Sequence, residues 1–364
     1  MKKTVKLILK ILGALVGVVL LAAIVLIAYL SITEYKPEAV EAVAVVQSRE
    51  NETPAPLEKA EFTVLSWNVG YCALGKDSDF FMDGGKGVRP DSEAVVKGNY
   101  AGVLETLRRM SPDFLMLQEV DSDSRRSYNF DEVAALRRDL GADGALASAY
   151  AMNYSTKFVP YPLPPLGKVN SGLLTLSRVA VNETAQRISL PCPFSWPMRV
   201  ANLKRCLLVN RVPLGADGKE LVLVNLHLEA YDDGEGKKAQ TKQLLNFLNE
   251  EYGKGNYIIA GGDWNQVFPD TLNTYPNTHE KNWTPGVLNP ADVGDWQFAY
   301  DDSVPTCRLL NQPYNPADTA NTQYYVIDGF LVSPNLTVKS VQTQDAKFAF
   351  SDHNPVLLTV ALAD

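Results

Sequence analysis

The chain has 364 residues, of which 46% are hydrophobic and 21% are charged, as in an ordinary globular protein. This composition excludes a disordered chain, a collagen-like fibre and a polytopic membrane protein. The formal net charge of −8 argues against a basic surface for tight, non-specific binding of duplex DNA, although not against an enzyme that contacts nucleic acid.

The first predicted element is an apolar helix near the amino terminus. From Ile11 to Thr33 the chain has 23 consecutive residues without a charge, after four lysines and before Glu34. Such a helix is about 35 Å long, enough to cross a bilayer core of about 30 Å. A cleaved secretory signal is the alternative, but its apolar core is usually only about 7 to 15 residues long. We therefore expect residues 1–34 to be an uncleaved anchor with a cytoplasmic tip.

The residues after the anchor divide into two predicted parts. Residues 35–60 are rich in proline, glutamate and small side chains without a sustained amphipathic period, which predicts a stalk. Residues 61–364 are the predicted folded domain. Because the lysines precede the apolar run, we expect a single-pass protein of the cell membrane whose domain is extracytoplasmic.

Strand-like apolar runs alternate with helical patterns through the predicted domain, which indicates one large α/β domain. The strand-like runs are residues 62–69, 114–120, 220–228 and 257–264, and the helical patterns are residues 93–110 and 237–252. Three segments rich in glycine, proline or asparagine, residues 77–93, 161–172 and 269–296, predict long loops at the rim of a site. The first contains two adjacent phenylalanines and predicts either a lid packed on the protein or a lipid-facing rim.

The four cysteines lack the CxxC spacing of a zinc cage. Cys192 and Cys206 are the pair that an oxidising compartment would allow to join. Four cysteines in a domain of this size do not make a disulfide scaffold, so we expect free, buried thiols.

Polar residues interrupt the strand-like runs at or near their carboxyl ends, the edge at which open α/β sheets bind ligands. A buried carboxylate, amide or imidazole costs several kcal/mol unless it is paired or bound to a metal. Turn or cap roles explain each residue singly, but a shared site explains them together. The residues are Asn68, Glu119, His227, Asp263, Asn265, Asp328, Ser351, Asp352 and His353.

These residue types favour metal-assisted attack of water on a phosphate. The oxygen ligands of Asn68, Glu119 and Asp352 suit Mg²⁺ or Mn²⁺. Two of the only three histidines in the chain lie at these junctions. Together with an Asp-x-Asn pair, they can position and deprotonate water and neutralise charge on the phosphate.

In chain order these motifs resemble the endonuclease/exonuclease/phosphatase family. They are WNVGY (67–71), LQEVD (117–121), NLHLEA (225–230), GGDWNQ (261–266), VIDGFLVS (326–333) and SDHNPV (351–356). The resemblance extends from about Glu61 to the carboxyl terminus. It implies a four-layer α/β sandwich, in which two mixed β-sheets face each other and helices flank them, and a Mg²⁺-dependent phosphoesterase.

The resemblance also implies roles for individual residues. Asn68, Glu119 and Asp352 match the metal site, and the catalytic residues are His227, Asp263, Asn265, Asp328 and His353. Asp328 is expected to hold the ring of His353, and Asp263 with Asn265 to position the nucleophile and the phosphate. The general base is assigned to Asp263 and His353 as a pair. A histidine at 227 is similar to the nuclease and sphingomyelinase branches, because apurinic endonucleases carry a tyrosine there.

The resulting hypothesis is a membrane-tethered, extracytoplasmic, divalent-metal-dependent phosphoesterase. Its substrate is left open among nucleic acid, phospholipid and small phosphates, and no protein partner is evident. One alternative is a catalytically silent binding or scaffolding protein on the same fold, although none of the motif residues is missing. A more remote alternative is a structural cell-surface domain whose polar strand ends are turns.

Overall fold

The computed structural model describes residues 2–49, 52, 54–215, 218–279, 281–318 and 320–362. The α-helices are α1 (Lys2–Ile32), α2 (Glu93–Met110), α3 (Glu132–Gly141), α4 (Glu235–Gly253) and α5 (Thr271–Thr274). The strands are β1 (Val40–Ala44), β2 (Val46–Gln47), β3 (Glu61–Asn68), β4 (Phe114–Asp121), β5 (Ala147–Val159), β6 (Gly167–Ser177), β7 (Thr184–Ser189), β8 (Cys206–Leu214), β9 (Lys219–His227), β10 (Tyr257–Asp263), β11 (Gln266–Val267), β12 (Gly286–Val287), β13 (Gln297–Ala299), β14 (Cys307–Arg308), β15 (Tyr324–Tyr325), β16 (Asp328–Val332), β17 (Leu336–Thr343) and β18 (Val356–Leu362). Single-turn 3-10 helices lie at Gly70–Cys72, Phe81–Asp83, Arg125–Ser127, Met198–Ala201 and Pro290–Asp292.

Two seven-stranded mixed sheets form the body of the domain. The first has the order β1-β7-β8-β9-β10-β16-β13, and the second has the order β17-β18-β3-β4-β6-β5-β2. Each sheet has one parallel pair near its centre, β9 with β10 and β3 with β4, and the neighbouring pairs are antiparallel. The two parallel pairs place four strand carboxyl ends close to one another.

Alternation of side chains along the central strands creates the layers. In β4, Phe114 and Met116 pack between the two sheets, while Leu115 and Leu117 pack beneath α2 and α3. Strand β10 follows the same rule, since Ile259 faces the other sheet and its neighbours pack with α4. Because strand side chains point to opposite faces in turn, both faces of each sheet are covered. The predicted four-layer α/β sandwich is confirmed.

Helix α1 has a segment, Lys3–Ile32, that is long and apolar enough to cross a membrane, and that segment is exposed along almost its whole length. A span and a signal sequence share these properties. Near the end of the helix, in contrast, the side chain of Leu30 is buried and only 4% exposed. Helix α1 therefore contacts the domain through its carboxyl-terminal turns.

The predicted stalk is wrong, because part of residues 35–60 belongs to the sandwich. Strand β1 pairs antiparallel with β7 at one edge of the first sheet, and β2 pairs with β5 at an edge of the second. Arg49 then donates hydrogen bonds to the carbonyl groups of Gly141 and Ala142 at the end of α3. The sequence of β1 lacks a continuous apolar run because only one of its faces is partly covered. Its strand conformation follows from the available edge of β7.

The predicted inner strands and long helices agree with the structure to within two residues, and helix α2 has the predicted bounds. The loop predicted at 161–172 is too long, because β6 begins at Gly167. In the segment 77–93, Phe80 and Phe81 pack against buried clusters, so these phenylalanines belong to a packed lid and not to a lipid-facing rim. All four cysteines are free thiols, and all except the half-buried Cys192 are buried.

Candidate active site

The central strands of the two sheets bring most of the predicted residues to one edge of the sandwich. Within the parallel pairs, Asn68 lies beside Gln118, and Asp263 lies beside His227. Asp328 begins β16, which runs antiparallel to β10, and it is opposite Asp263. A register shift of one residue would turn these side chains to the other face of their sheets. The pattern of apolar residues that fixes the register therefore also fixes the site.

Glu119 lies at an irregularity near the end of β4. The pairing of β4 with β6 shifts between Leu117 and Val120, and Glu119 has a φ of +54°. Positive φ is uncommon outside glycine and accompanies functional sites when the surrounding structure enforces it. A bulge also redirects a side chain out of the regular alternation. Here it brings Glu119 Oε1 to 3.2 Å from the Asn68 amide nitrogen and 3.9 Å from His227 Nε2.

Asp263 is the centre of the hydrogen-bond network. Its Oδ2 accepts a hydrogen bond of 2.9 Å from Asn68 Nδ2 and lies 3.4 Å from His227 Nε2 and 3.8 Å from His353 Nε2. Its Oδ1 accepts a hydrogen bond from the backbone N–H of Asn265. Asn265 has a φ of +50°, and its side-chain amide donates to the Leu228 carbonyl, which fixes the turn after β10.

His353 is oriented from below by Asp328. His353 Nδ1 and Asp328 Oδ2 are 2.8 Å apart, and the Asp328 side chain is completely buried. The hydroxyl of Thr306 accepts hydrogen bonds from the backbone N–H groups of Ile327 and Asp328, which holds the start of β16. The opposite ring nitrogen of His353 therefore points toward Asp263.

Asn68 is placed by its own backbone neighbourhood. Its amide oxygen accepts a hydrogen bond from the N–H of Gly70, so its amide nitrogen is the end that faces Glu119 and Asp263. The Ser351 hydroxyl donates to the Asn68 carbonyl and ties the SDH segment to β3. In this orientation Asn68 fixes two carboxylates relative to each other.

Burial and neighbouring charges separate the protonation behaviour of the two histidines. Burial and the charges of Arg205 and His353 lower the pKa of His227 well below its usual value. Burial also opposes charge on His353, but the adjacent Asp328 outweighs it and raises the pKa of His353. These shifts favour the neutral ring for His227 and the imidazolium for His353.

The two acids beside His353 hold their protons more tightly than usual. Burial raises the pKa of Asp263 to about 6, partly offset by the charge of His353. Burial and the charge of Glu119 raise the pKa of Asp352 to about 7, again with His353 opposing the shift. A buried carboxylate repelled by another carboxylate is the environment that a bound cation relieves.

The donor set at this edge fits a divalent cation. Glu119 and Asp352 offer hard carboxylate oxygens, and Gly70 leaves room for one of them, since a Cβ there would lie 2.9 Å from Asp352 Oδ1. Ligand atoms of Asp263, Asp328 and His353 also lie within 4.8 Å of one another, as do those of Cys307, Asp352 and His353. Carboxylate oxygens, rather than the imidazole of His353, are the ligands suited to a hard divalent ion.

A polar bridge that was not predicted from the sequence lies beneath the site. Gln118 Nε2 donates to Asn225 Oδ1 at 2.9 Å, and Asn225 Nδ2 donates to the Leu117 carbonyl, so β4 and β9 are joined between the sheets. Both residues interrupt apolar runs, which is the same signal that identified the neighbouring Glu119 and His227. They fix the spacing of the two facing sheets.

A second missed pair lies at the rim. The hydroxyl of Tyr231 donates to Asp83 Oδ1 at 2.9 Å, although the two residues are separated by 148 positions. Burial raises the pKa of Asp83 to about 6, and the charges of Glu119 and His353 also act on it. Long loops join here, and nothing in either loop sequence identifies the partner.

The family model described as "Endonuclease/Exonuclease/phosphatase family" matches residues 65–353, which contain every residue of the site. The chain belongs to the endonuclease/exonuclease/phosphatase family. Its members are phosphodiesterase and nuclease hydrolases that generally use a divalent metal ion.

Solved structures agree on the fold of this family member. The endonuclease/exonuclease/phosphatase of Beutenbergia cavernae matches with a TM-score of 0.58 at 18% identity, over 84% of this chain and 72% of that one. The endonuclease/exonuclease/phosphatase of Bacteroides vulgatus matches with a TM-score of 0.51 at 17% identity, over 84% of this chain and 100% of that one. No curated protein matches the chain. At these identities the likeness is one of fold.

Proposed function

We propose that this family member hydrolyses a phosphoester by divalent-metal-assisted attack of water. The observation that carries the proposal is the position of Asp263 Oδ2, within 3.8 Å of both His227 Nε2 and His353 Nε2 and hydrogen-bonded to Asn68. Carboxylate, imidazole and imidazolium groups thus converge on one small volume at the sheet edge. Groups of these three kinds can transfer a proton next to a bound phosphate.

Glu119 and Asp352 are the proposed ligands of Mg²⁺ or Mn²⁺. Asn68, the third residue predicted for the metal site, presents its amide nitrogen to Glu119 and sets the direction of that carboxylate. When bound, the cation neutralises charge that develops on the phosphoryl oxygens and polarises the phosphorus centre. Ser351, whose hydroxyl lies 3.3 Å from Asp352 Oδ1, keeps the second ligand in place.

Asp263 and His353 are the proposed proton-handling pair. Asp263 accepts the proton of the attacking water as the water oxygen bonds to phosphorus and the ester P–O bond breaks. The adjacent His353, kept cationic by Asp328, stabilises the negative charge of the transition state, and the leaving oxygen takes its proton from solvent. Asn265 holds Asp263 in position through its backbone N–H. Burial lowers the pKa of His227, which favours its neutral ring, and Nε2, 3.4 Å from Asp263 Oδ2, is the ring atom that faces the site. An N–H at that atom is the proposed donor to a phosphoryl oxygen.

The domain is proposed to be tethered outside the cytoplasm. Helix α1 supplies the single span, and the lysines before its apolar run favour a cytoplasmic amino terminus. The revised organisation has an anchor that ends near residue 34 and a catalytic domain that includes β1 and β2. A cleaved signal sequence remains the alternative for α1.

The test uses the full chain in detergent micelles with a chromogenic phosphodiester. We expect turnover with Mg²⁺ or Mn²⁺, none with excess EDTA, and a loss of about 10²–10⁴-fold in His353→Ala. His279→Ala is the matched control, because His279 lies in the loop after α5 and contacts Thr278. Metal-independent turnover, or full activity of His353→Ala, would refute the mechanism. Folded wild-type protein without turnover on any phosphoester would favour a binding protein.

A further inference from the structure

Four exposed apolar side chains lie on two neighbouring loops of the domain. Tyr161 and Leu163, in the loop between β5 and β6, are 68% and 86% exposed, and Trp196 and Met198, before β8, are 58% and 64% exposed. The two loops meet because Leu203 packs into the buried cluster that contains Leu166. We call these four residues the exit patch. An exposed apolar cluster of this kind marks a contact surface.

The end of α1 is fixed beside the exit patch. Trp196 Nε1 donates a hydrogen bond of 3.0 Å to Ser31 Oγ in the last turn of α1. Glu34, the first charged residue after the span, has a side chain only 4% exposed and lies 3.3 Å from Arg199 and 3.2 Å from Lys204. The point at which α1 leaves the domain is therefore held by hydrogen bonds and ion pairs, and the exit patch lies at that point.

The exit patch is on the same edge of the sandwich as the active site. Strand β4 ends there at Asp121, which pairs with Ser171 near the beginning of β6, so the loop 160–166 that precedes β6 is at that edge. Strand β8 begins beside the end of β9, since Leu207 pairs with Leu226 next to His227. The segment before β8 that carries Trp196 and Met198 is consequently at this edge too.

A short 3-10 helix links the patch to the site. The ring of Phe81 lies 5.6 Å from the ring of Tyr161 in an edge-to-face contact. Two residues later, the buried carboxyl of Asp83 accepts a hydrogen bond from the hydroxyl of Tyr231, four residues after His227. In this one helical turn, Phe81 therefore contacts the patch and Asp83 contacts the rim of the catalytic site.

We propose that the exit patch rests in the interface of the bilayer that α1 crosses, so that the active-site edge is held at the membrane and the substrate is a phosphoester at the bilayer surface. This inference rests on the proposed function. The bilayer is the occupant because Trp196 of the patch is bonded to the last turn of a helix whose apolar length is suited to hydrocarbon. No flexible stalk separates the two, since Ser31 on α1 is bonded directly to Trp196.

The chemistry of the patch agrees with an interfacial position. Tryptophan and tyrosine favour the boundary between headgroups and hydrocarbon, where an apolar ring and a polar atom are both accommodated. Lys36, Arg199 and Lys204 lie 3.7, 3.3 and 3.2 Å from the carboxylate of Glu34, so cationic side chains are beside the patch to contact headgroup phosphates. A phospholipid headgroup is thus the substrate class presented to this edge.

The first test measures contact with lipid. In a Cys192→Ser background, Leu163→Cys of the full chain is labelled with an environment-sensitive fluorophore in vesicles of phosphatidylcholine and phosphatidylglycerol. We expect a blue shift of the emission and quenching by lipids that carry a nitroxide near the headgroup. Tyr252→Cys, at the opposite edge near the end of α4, is the matched control and should remain unquenched. Equal emission at both positions, or a chain that alkaline carbonate extracts from the vesicles, would overturn the proposal.

The second test measures activity in the same vesicles. The double variant Leu163→Asp and Met198→Asp should lower release of phospholipid headgroups, followed by ³¹P NMR, about tenfold or more. Its hydrolysis of a soluble chromogenic diester should be unchanged, and Tyr252→Asp should behave as wild type in both assays. If the wild type cleaves the soluble diester but no phospholipid, or if the double variant loses neither activity, the inference fails and the proposed function stands. If neither substrate is cleaved, the proposed function itself fails.

Discussion

The buried pair of Asp328 and His353 offers the sharpest test of the proposed mechanism. Asp328→Asn keeps the shape of the side chain and removes its charge. At the observed 2.8 Å, the attraction between the two charges is about 6 kcal/mol at an effective dielectric constant of about 20, as an upper bound. Breaking a buried pair typically costs about 3–5 kcal/mol. Part of that cost is a lower pKa of His353, because the Asp328 charge that raises it is lost.

We expect Asp328→Asn to lower kcat for a chromogenic diester by about 10²–10⁴-fold, because a neutral His353 no longer stabilises the transition state. The chain has only three histidines, so ¹⁵N NMR of the labelled imidazoles can follow His353 directly. Its pKa should fall in the variant. Asp345→Asn is the control. Asp345 is an exposed residue of the loop after β17, and its side chain accepts a hydrogen bond from the N–H of Lys347.

The same pair has a defined effect on stability. Because Asp328 raises the pKa of His353 in the folded state, its contribution is complete below about pH 6.5 and declines as pH rises through the folded-state pKa. The difference in unfolding free energy between wild type and Asp328→Asn should therefore be larger at low pH. A variant that keeps its rate within about tenfold of wild type, or an unshifted His353, would refute the reasoning.

Three further substitutions test other parts of the site and the fold. Glu119→Gln should raise the Mg²⁺ concentration for half-maximal activity by about 10–100-fold, and an unchanged metal titration would exclude it as a ligand. His227→Gln should lower kcat about 10²-fold at an unchanged Mg²⁺ requirement; a shifted metal requirement would contradict its assignment to the phosphate. Burial opposes ionisation of Glu251, but hydrogen bonds from Arg211 and others outweigh it and lower its pKa to about 2. In urea unfolding, Glu251→Gln should lower the free energy of unfolding by about 1–3 kcal/mol above about pH 5, and by progressively less toward pH 2. The control Glu250→Gln, at an exposed position, should leave that free energy unchanged. A decrease that does not vary with pH would contradict the charge-based explanation and indicate a packing effect.

The inner strands and the positions of the site residues were predictable because one pattern encodes both. An apolar run that ends in a polar residue, such as FLMLQE before the bulge at Glu119, predicts a buried strand with a functional end. The same pattern located His227 and Asp263 on neighbouring strands. These residues converge because parallel strands bring their carboxyl ends to the same edge of a sheet. The alternation of strand-like and helical segments along the sequence indicates such parallel pairs.

The edge strands and the rim were not predictable from local sequence. The sequence VEAVA of β1 has neither a long apolar run nor strong β-formers throughout, and it becomes a strand only because β7 offers an unpaired edge. The contact of Asp83 with Tyr231 joins two loops whose sequences do not specify a partner. The direction in which the Asn68 amide points depends on Gly70 and on tertiary neighbours, and no spacing rule contains that information.

Incorporation of β1 and β2 into the two sheets changes what proteolysis can do to this protein. A flexible stalk would let a protease release an intact catalytic domain by one cut anywhere along it. Here a cut after β2 would remove the strands that cover β7 and β5, exposing two sheet edges that are prone to pair with other chains. For a chain tethered as proposed, release of a domain that keeps both strands requires a cut between Ile32 and Val40, where several residues are half-buried.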